Sequence, residues 1–188
     1  MLVPQRIQIT ESRIKMETNR LIIRSFTIDD VEKCYTNWGQ DDSLGKYLIM
    51  FPMQSISEMT NLISGFIGNP NVWLMEEKSS HEPIGYVSVD IPYDILGIGE
   101  IAYLLGEKYQ HRGYALEAME AVIAYLFMER KLYMIEAKYN EDNIASGNLL
   151  KRLGFQVDGI LRDRRIDRET GKRSSLVVCS ITQNDYSK

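Results

Sequence analysis

The amino-acid sequence predicts an α/β (mixed α+β) protein: one domain with a central, mostly antiparallel sheet flanked by helices. Runs of strand length, rich in β-branched and aromatic residues, alternate with apolar patterns of helical spacing along the chain. In the middle, a strand at 100–105, a small-residue loop, a helix to residue 129 and a strand at 132–138 follow one another. This order is that of a βαβ crossover, whose two strands run parallel. The 188 residues suffice for one domain with a sizeable core.

The N-terminal segment is the least informative part of the sequence. Residues 1–15 have no clear amphipathic pattern, so a flexible leader is one interpretation of them. We therefore place the folded domain at residues 16–188. Whether Met1 or Met16 is the biological start stays open.

Two helices are predicted after a first strand near residues 18–24. Thr27, followed three residues later by Asp30, is typical of a helix start, because the hydroxyl and the acid can cap each other's backbone. A second helix begins near Ser55 or Ser57. The apolar stripes of the two helices consist of Val31, Cys34, Tyr35 and Trp38, and of Met59, Leu62, Ile63 and Phe66.

The remaining elements are read from turn signals. Strands at 72–76 and 84–89, joined by a polar turn, predict an antiparallel hairpin. A short helix begins at Asn143, and the last third ends with two strands separated by residues 169–172. No repeat or linker interrupts the series, which supports one domain.

Composition excludes several classes of function. The net charge of −4 argues against a general nucleic-acid binder, and the Arg-rich stretch 162–168 reads as a solvated strand face with interleaved acids. Cys34 and Cys179 form no disulfide or metal framework, and with only two histidines we expect no metal. There is no signal-peptide pattern and no apolar run of membrane-spanning length, so we expect a cytoplasmic protein without a membrane partner.

The most informative segment is the loop between the strand at 100–105 and the long helix. The first amides of a helix have no acceptor within it, and the helix dipole places partial positive charge there, so such a loop suits a diphosphate. Gly113 lets the backbone approach a ligand closely, and Ala115 keeps bulk out of the groove. An ordinary strand-to-helix connection is the alternative, and the spacing alone does not decide between them.

Three motifs of this sequence resemble a known family. Gln110-x-x-Gly113-x-Ala115 is similar to the acetyl-coenzyme A signature of the GNAT N-acetyltransferase superfamily. The residues from Asn143 to Phe155 resemble its next motif, a polar-capped helix that ends in Gly-Phe. Residues 18–24 resemble the first strand of the branch that contains the ribosomal-protein N-terminal alanine and serine acetyltransferases. The resemblance covers residues 16 to 183, and it implies a GNAT-like fold.

The resemblance implies a binding role for two segments. Backbone amides of the loop would hold the diphosphate of acetyl-CoA, with Arg112 as a cation in reach of a phosphate. The end of the preceding strand would pair with the pantetheine arm, and Asn143 would contact that arm in addition to capping its helix. The implied cofactor-binding residues are Tyr103, Leu104, Leu105, Gln110, His111, Arg112, Gly113, Tyr114, Ala115 and Asn143.

Two residues are candidates for catalysis. Glu100 lies on the strand that precedes the loop, where a partly buried carboxylate could act as general base; a solvated acid at a strand start is the alternative. Ser146 could hydrogen-bond the leaving sulfur, or be only a hydroxyl of the first helical turn. Many relatives in the resemblance carry a tyrosine seven residues after the motif's asparagine, but this chain has Leu150, which cannot donate. The identity of the general acid therefore stays open.

The resemblance implies an acetyl-CoA-dependent N-acetyltransferase that moves an acetyl group to a primary amine by direct attack. The acceptor would be a protein N-terminus, such as that of a ribosomal protein, or a small-molecule amine such as a polyamine or an aminoglycoside. The alternative is a non-catalytic acyl-CoA-binding sensor or scaffold, to which the missing tyrosine lends weight. The oligomeric state stays open, with a homodimer as one possibility.

Overall fold

The computed structural model describes residues 6–10, 13–48, 52–92, 94–167 and 170–187, with side chains from residue 14 onward. The strands are β1 (Arg6–Thr10), β2 (Arg13–Glu17), β3 (Leu21–Arg24), β4 (Val72–Glu77), β5 (Glu82–Asp90), β6 (Ile98–Leu105), β7 (Met134–Asn140), β8 (Gln156–Ile166) and β9 (Arg173–Thr182). The helices are α1 (Val31–Cys34), α2 (Asp42–Gly45), α3 (Ile56–Phe66), α4 (Tyr114–Met128), α5 (Ile144–Arg152) and α6 (Gln183–Tyr186).

The chain divides into two compact units. The first unit comprises Met1–Ser88 and Tyr103–Tyr125, and the second comprises Val89–Ala102 and Leu126–Lys188. Strands β5 and β6 and helix α4 contribute residues to both units. Among the described strands, β1–β2, β2–β3, β3–β4, β4–β5, β7–β9 and β8–β9 pair antiparallel and β6–β7 pair parallel, so the fold is mixed α/β and mostly antiparallel, as the sequence predicts.

Strands β1 to β5 of the first unit pair antiparallel in chain order. The β1–β2 hairpin begins with Arg6 opposite Glu17 and ends with Thr10 opposite Arg13. Residues 6–10 and 13–15, which belong to the segment interpreted as a flexible leader, therefore lie in paired strands. Apolar residues stand at every second position of both strands, at Ile7, Ile9, Ile14 and Met16, so the alternation typical of strands is present and the interpretation as a leader overlooked it.

Helices α1 and α3 pack together in the first unit. Helix α1 continues a 3-10 turn at Ile28–Asp30, so this helical segment begins directly after Thr27, and α3 begins directly after Ser55, as the sequence predicts. The Thr27 hydroxyl lies 3.0 Å from the Asp30 carboxylate, which also accepts the Thr27 N–H at 2.8 Å. The Ser55 hydroxyl accepts the N–H of Glu58 at 3.2 Å. Both caps satisfy amides that a helix leaves without partners. The buried core here includes Phe26, Val31, Cys34, Trp38, Met59, Ile63, Val72, Leu74 and Leu104.

The second unit contains a parallel strand pair. Strands β6 and β7 pair from Ile98 opposite Met134 to Glu100 opposite Glu136, which confirms the predicted parallel arrangement. On its other side β7 pairs antiparallel with β9, and β9 pairs antiparallel with β8. No helix in the described part of the chain is long and apolar enough to span a membrane.

Strand β8 is the exposed edge of the second unit. In the described residues it pairs with β9 on one side, and almost all of its eleven residues are exposed. Apolar and charged side chains are mixed along it. The exposed apolar ones are Val157, Ile160, Leu161 and Ile166.

Candidate active site

The predicted diphosphate loop lies in the first unit, between β6 and α4. After β6 ends at Leu105, a 3-10 turn spans Glu107–Tyr109, and α4 begins at Tyr114. Between them the backbone is left-handed at His111, with φ 59°, and at Gly113, with φ 81°. A non-glycine residue with this φ is strained, and such strain is concentrated at functional sites.

The start of α4 leaves a run of amides free. Its first hydrogen bond joins the N–H of Glu117 to the carbonyl of Gly113 at 3.1 Å. Within the described part of the chain, none of the amides from His111 to Leu116 donates to a protein acceptor. Because α4 is fifteen residues long, its dipole adds partial positive charge at this end. The loop therefore presents the donors and the field that an anionic group needs.

Side chains fix the entry to this loop. The Gln110 amide donates to the carbonyl of Leu105 at 3.0 Å, so Gln110 closes the turn with its own side chain. The N–H of Glu107 donates to the Asp41 carboxylate at 2.7 Å. A β-carbon at Gly106 would lie 2.5 Å from the carbonyl oxygen of Asn37, so only glycine fits there. The end of β6 is thereby held in place.

The predicted binding residues of the first unit differ in exposure. Leu104, Leu105 and Tyr114 are buried, whereas His111 and Arg112 are exposed. The Tyr114 hydroxyl hydrogen-bonds to the Glu77 carboxylate. This bond raises the pKa of Tyr114, and bonds from Ser80 and Tyr114 lower the pKa of Glu77. Tyr114 therefore packs and anchors the loop through its ring and hydroxyl.

Glu100 lies in the second unit, at the last paired position of β6 and β7. Its side chain is 40 % exposed, and the Lys138 ammonium lies 2.6 Å from its Oε2. Its Oε1 has no hydrogen-bond partner among the described residues, which leaves it available to water or an amine. The carboxylate is thus partly buried, and it is ion-paired.

A second carboxylate at this position was missed by sequence reasoning. Glu136 is the register partner of Glu100, so the two side chains leave the sheet on the same face. Lys138, two residues further along β7, lies on that face as well. The alternation Ile135-Glu136-Ala137-Lys138 carried the signal, because it places two charges on one face of a central strand.

Asn143 and Ser146 meet at the start of α5. The Asn143 Oδ1 accepts the main-chain N–H of Ser146 at 3.1 Å, which confirms the predicted cap. Leu150 is 2 % exposed and lies in the core. A β-carbon at Gly147 would lie 2.9 Å from the ring of Tyr139, so the first turn of α5 rests on that ring. Burial raises the pKa of Tyr139, a hydroxyl near this turn that the sequence did not single out.

The described residues thus combine a mixed α/β fold that contains a parallel strand pair with a left-handed loop and a helix start whose amides are free, an arrangement suited to an anionic group. Residues 20–156 match the Acetyltransferase (GNAT) domain family. The chain therefore belongs to the GNAT acetyltransferase family and is an N-acetyltransferase by class.

The names of similar proteins are consistent with this family. Protein p20 of Bacillus licheniformis, named as an uncharacterized N-acetyltransferase, is 29 % identical over 174 residues, covering 90 % of this chain and 96 % of p20. The ribosomal protein uS5-alanine N-acetyltransferase of Escherichia coli (strain K12) is 38 % identical over 86 residues, covering 46 % of this chain and 43 % of that protein.

Solved structures show the same fold. A GNAT-family acetyltransferase from Bacillus anthracis aligns with a TM-score of 0.81 at 20 % identity, covering 90 % of this chain and 99 % of the other. The microcin C7 self-immunity acetyltransferase MccE, solved with acetyl-CoA and AMP, aligns with a TM-score of 0.78 at 19 % identity, covering 92 % and 97 %.

Proposed function

We propose that this protein transfers the acetyl group of acetyl-CoA to a primary amine, and that the first acceptor to test is a protein α-amino group. The observation that carries the cofactor assignment is the run of free amides from His111 to Leu116. The partial similarity to a uS5-alanine N-acetyltransferase supports the choice of acceptor. A small-molecule amine is the second acceptor class.

The loop and the strand before it are proposed to hold the cofactor. Amides of residues 111–116 bind the diphosphate, and the exposed guanidinium of Arg112 supplies a positive charge to a phosphate. Main-chain groups of residues 103–105 pair with the pantetheine arm. One carbonyl of this stretch, that of Leu105, already accepts the Gln110 side chain, so the pairing uses its second lone pair or its neighbours.

Glu100 is proposed to take a proton from the amine, directly or through a water. Lys138 orients the carboxylate by holding Oε2, which leaves Oε1 as the proton-accepting atom. As the new C–N bond forms and the C–S bond breaks, the amine proton passes to Glu100. Ser146 donates a hydrogen bond to the departing thiolate, and Asn143 keeps the first turn of α5 in place for it.

Release of free coenzyme A thiol across a panel of amines tests this function. The panel contains peptides with free alanine, serine and methionine N-termini, their N-terminally blocked forms, polyamines and an aminoglycoside. Turnover on free peptides and none on the blocked forms is the expected result. Binding of acetyl-CoA by calorimetry without turnover on any member would favour the sensor instead.

A further inference from the structure

A turn far away in sequence lies against the start of α4. The hydroxyl of Thr18 donates to Glu117 Oε1 at 2.6 Å, and the main-chain N–H of Arg20 donates to the same atom at 2.8 Å. The Nε of Arg20 donates to Glu117 Oε2 at 2.6 Å. The segment that joins β2 to β3 therefore hydrogen-bonds both carboxylate oxygens of Glu117, in the first turn of α4.

The same guanidinium reaches the loop itself. Its Nη1 donates to the carbonyl of Arg112 at 2.8 Å, and its central carbon lies 4.4 Å from the centroid of the Tyr114 ring. A β-carbon at Gly113 would lie 3.4 Å from Nη2. One planar side chain thus contacts Arg112 and Tyr114 and lies beside Gly113. Its bond from Nη1 fixes the orientation of the Arg112 carbonyl next to the loop amides.

The contact between Arg20 and Glu117 also affects the charge near the loop. Glu117 is only 8 % exposed, and its negative charge lies one turn from the amides proposed to bind a diphosphate. Burial opposes its ionisation, but the hydrogen bonds from Thr18 and Arg20 prevail and lower the pKa of Glu117. Arg20 is therefore the cation that offsets a carboxylate which would otherwise repel phosphate.

We infer that Arg20 is a positioning residue of the diphosphate loop, which it keeps open for the cofactor by holding Glu117 and the Arg112 carbonyl at once. This inference rests on the proposed binding of acetyl-CoA at this loop. Lysine cannot replace arginine here, because an ammonium is a point charge without the planar fork that bonds two acceptors and stacks on a ring.

The test compares Arg20→Lys with Arg164→Lys, which changes an exposed arginine of β8 in the same way. Two measurements are made: calorimetric affinity for coenzyme A and for its form without the 3′-phosphate, and hydrogen exchange of residues 110–117 in the free protein. In Arg20→Lys we expect both ligands to lose affinity equally, by at least about tenfold, with faster exchange in that segment. The KM for acetyl-CoA rises while kcat stays within about twofold.

Three outcomes would overturn the inference. If Arg20→Lys has the coenzyme A affinity and the hydrogen exchange of the wild type, and the wild type binds coenzyme A, the role of Arg20 is rejected while the proposed cofactor binding stands. A loss of affinity that vanishes without the 3′-phosphate would show a direct contact with that phosphate instead of positioning. Failure of the wild type to bind coenzyme A would remove the proposed function, and the inference with it. Exchange in the free variant remains informative if its affinity falls below detection, and thermal unfolding checks that it is folded.

Discussion

The proposed base, Glu100, is not isolated, because Lys138 binds one of its two carboxylate oxygens at 2.6 Å. Both side chains are partly exposed, so this pair adds little to folding stability. Its value lies in orientation: a carboxylate fixed at one oxygen presents the other in a constant direction. Catalytic efficiency depends on such placement as much as on basicity.

The variant Glu100→Gln keeps the size and the polar contact while removing the proton acceptor. We expect the rate to fall on the order of a hundredfold, most strongly at pH values where the amine acceptor is protonated. Coenzyme A affinity should stay within about twofold. Steady-state rates as a function of pH measure this, with Glu129→Gln, an exposed residue just after α4, as the control. A full-rate Glu100→Gln would exclude Glu100 as base and direct attention to Glu136.

Ser146→Ala isolates the hydroxyl from the helix cap. Asn143 accepts the main-chain N–H of residue 146, so alanine leaves the cap intact. We expect kcat to fall by up to about tenfold, from the loss of one hydrogen bond to the thiolate. Ser64→Ala, at an exposed position of α3, serves as control. An unaltered rate together with an unaltered pH profile would reduce Ser146 to a residue of the first helical turn.

Sequence reasoning succeeded at single residues where the cause is local. The caps by Thr27, Ser55 and Asn143 involve groups within three residues of one another, so spacing alone predicts them. It failed where the partner is distant. Lys138 is 38 residues from Glu100, and Glu117 is 97 residues from Arg20. Those contacts depend on strand register and on packing of the turn against α4, which a single sequence does not show.

In the loop between β6 and α4, the backbone provides more of the proposed binding groups than the side chains do. Left-handed residues at positions 111 and 113 turn the chain between strand and helix. The role of Gly113 in this turn could be predicted from the sequence. The left-handed conformation of His111 could not, since few non-glycine residues adopt it. The buried Tyr114 and the Gln110 side chain then hold the element at both ends.

Gly113→Asp tests the element as a whole. A side chain at φ 81° is strained and adds a negative charge where a diphosphate is proposed to bind. Affinity for coenzyme A, measured by calorimetry, should fall by at least about a hundredfold.

The matched control is Gly68→Asp, because Gly68 has φ 77° and open space around it in the turn after α3. Both variants carry the same backbone strain, on the order of 1 kcal/mol, so they should lose similar thermal stability. Equal coenzyme A affinity in the two variants would contradict the loop assignment.

Across the whole molecule, buried carboxylates tie stability to pH. Arg24 bonds both Asp30, at 2.8 Å, and Glu76, at 2.7 Å, and His81 lies 2.9 Å from Glu76. Burial opposes ionisation of both acids, but the Arg24 bond lowers the pKa of Asp30, and the bonds from His81 and Arg24 lower the pKa of Glu76. The unfolded chain, whose carboxyls titrate at ordinary values of 3.8 and 4.5, then binds more protons in acid.

The contribution of these two carboxylates to the free energy of unfolding should therefore be fully present above pH 4.5. It should be lost as the pH falls through their lowered pKa values in the folded protein. Glu76→Gln removes one of these groups, so its unfolding free energy should decline less steeply between pH 5 and 3, by on the order of 1 kcal/mol. Urea unfolding at several pH values measures this. Parallel curves for wild type and Glu76→Gln, with Glu129→Gln as reference, would show that Glu76 does not contribute.

The fold class, the parallel β6–β7 pair and the order of the strands from β3 to β9 could all be predicted, because apolar periodicity and turn residues mark them. The four-residue helix α2 was not predicted, since one turn is too short to show helical periodicity. The β1–β2 hairpin was overlooked, although Ile7, Ile9, Ile14 and Met16 alternate with polar residues along it. Acceptor choice is likewise beyond the pattern, because fold does not determine substrate.

Strand β8 has exposed apolar residues that favour aggregation, and charged residues between them that oppose it. Four exposed apolar residues on a long edge would invite chain-to-chain strand pairing and precipitation. Asp158, Arg162, Asp163 and Arg164 interrupt that stretch and act as gatekeepers against aggregation. Neutralising these charges is therefore expected to lower solubility during expression before it affects acetyl transfer.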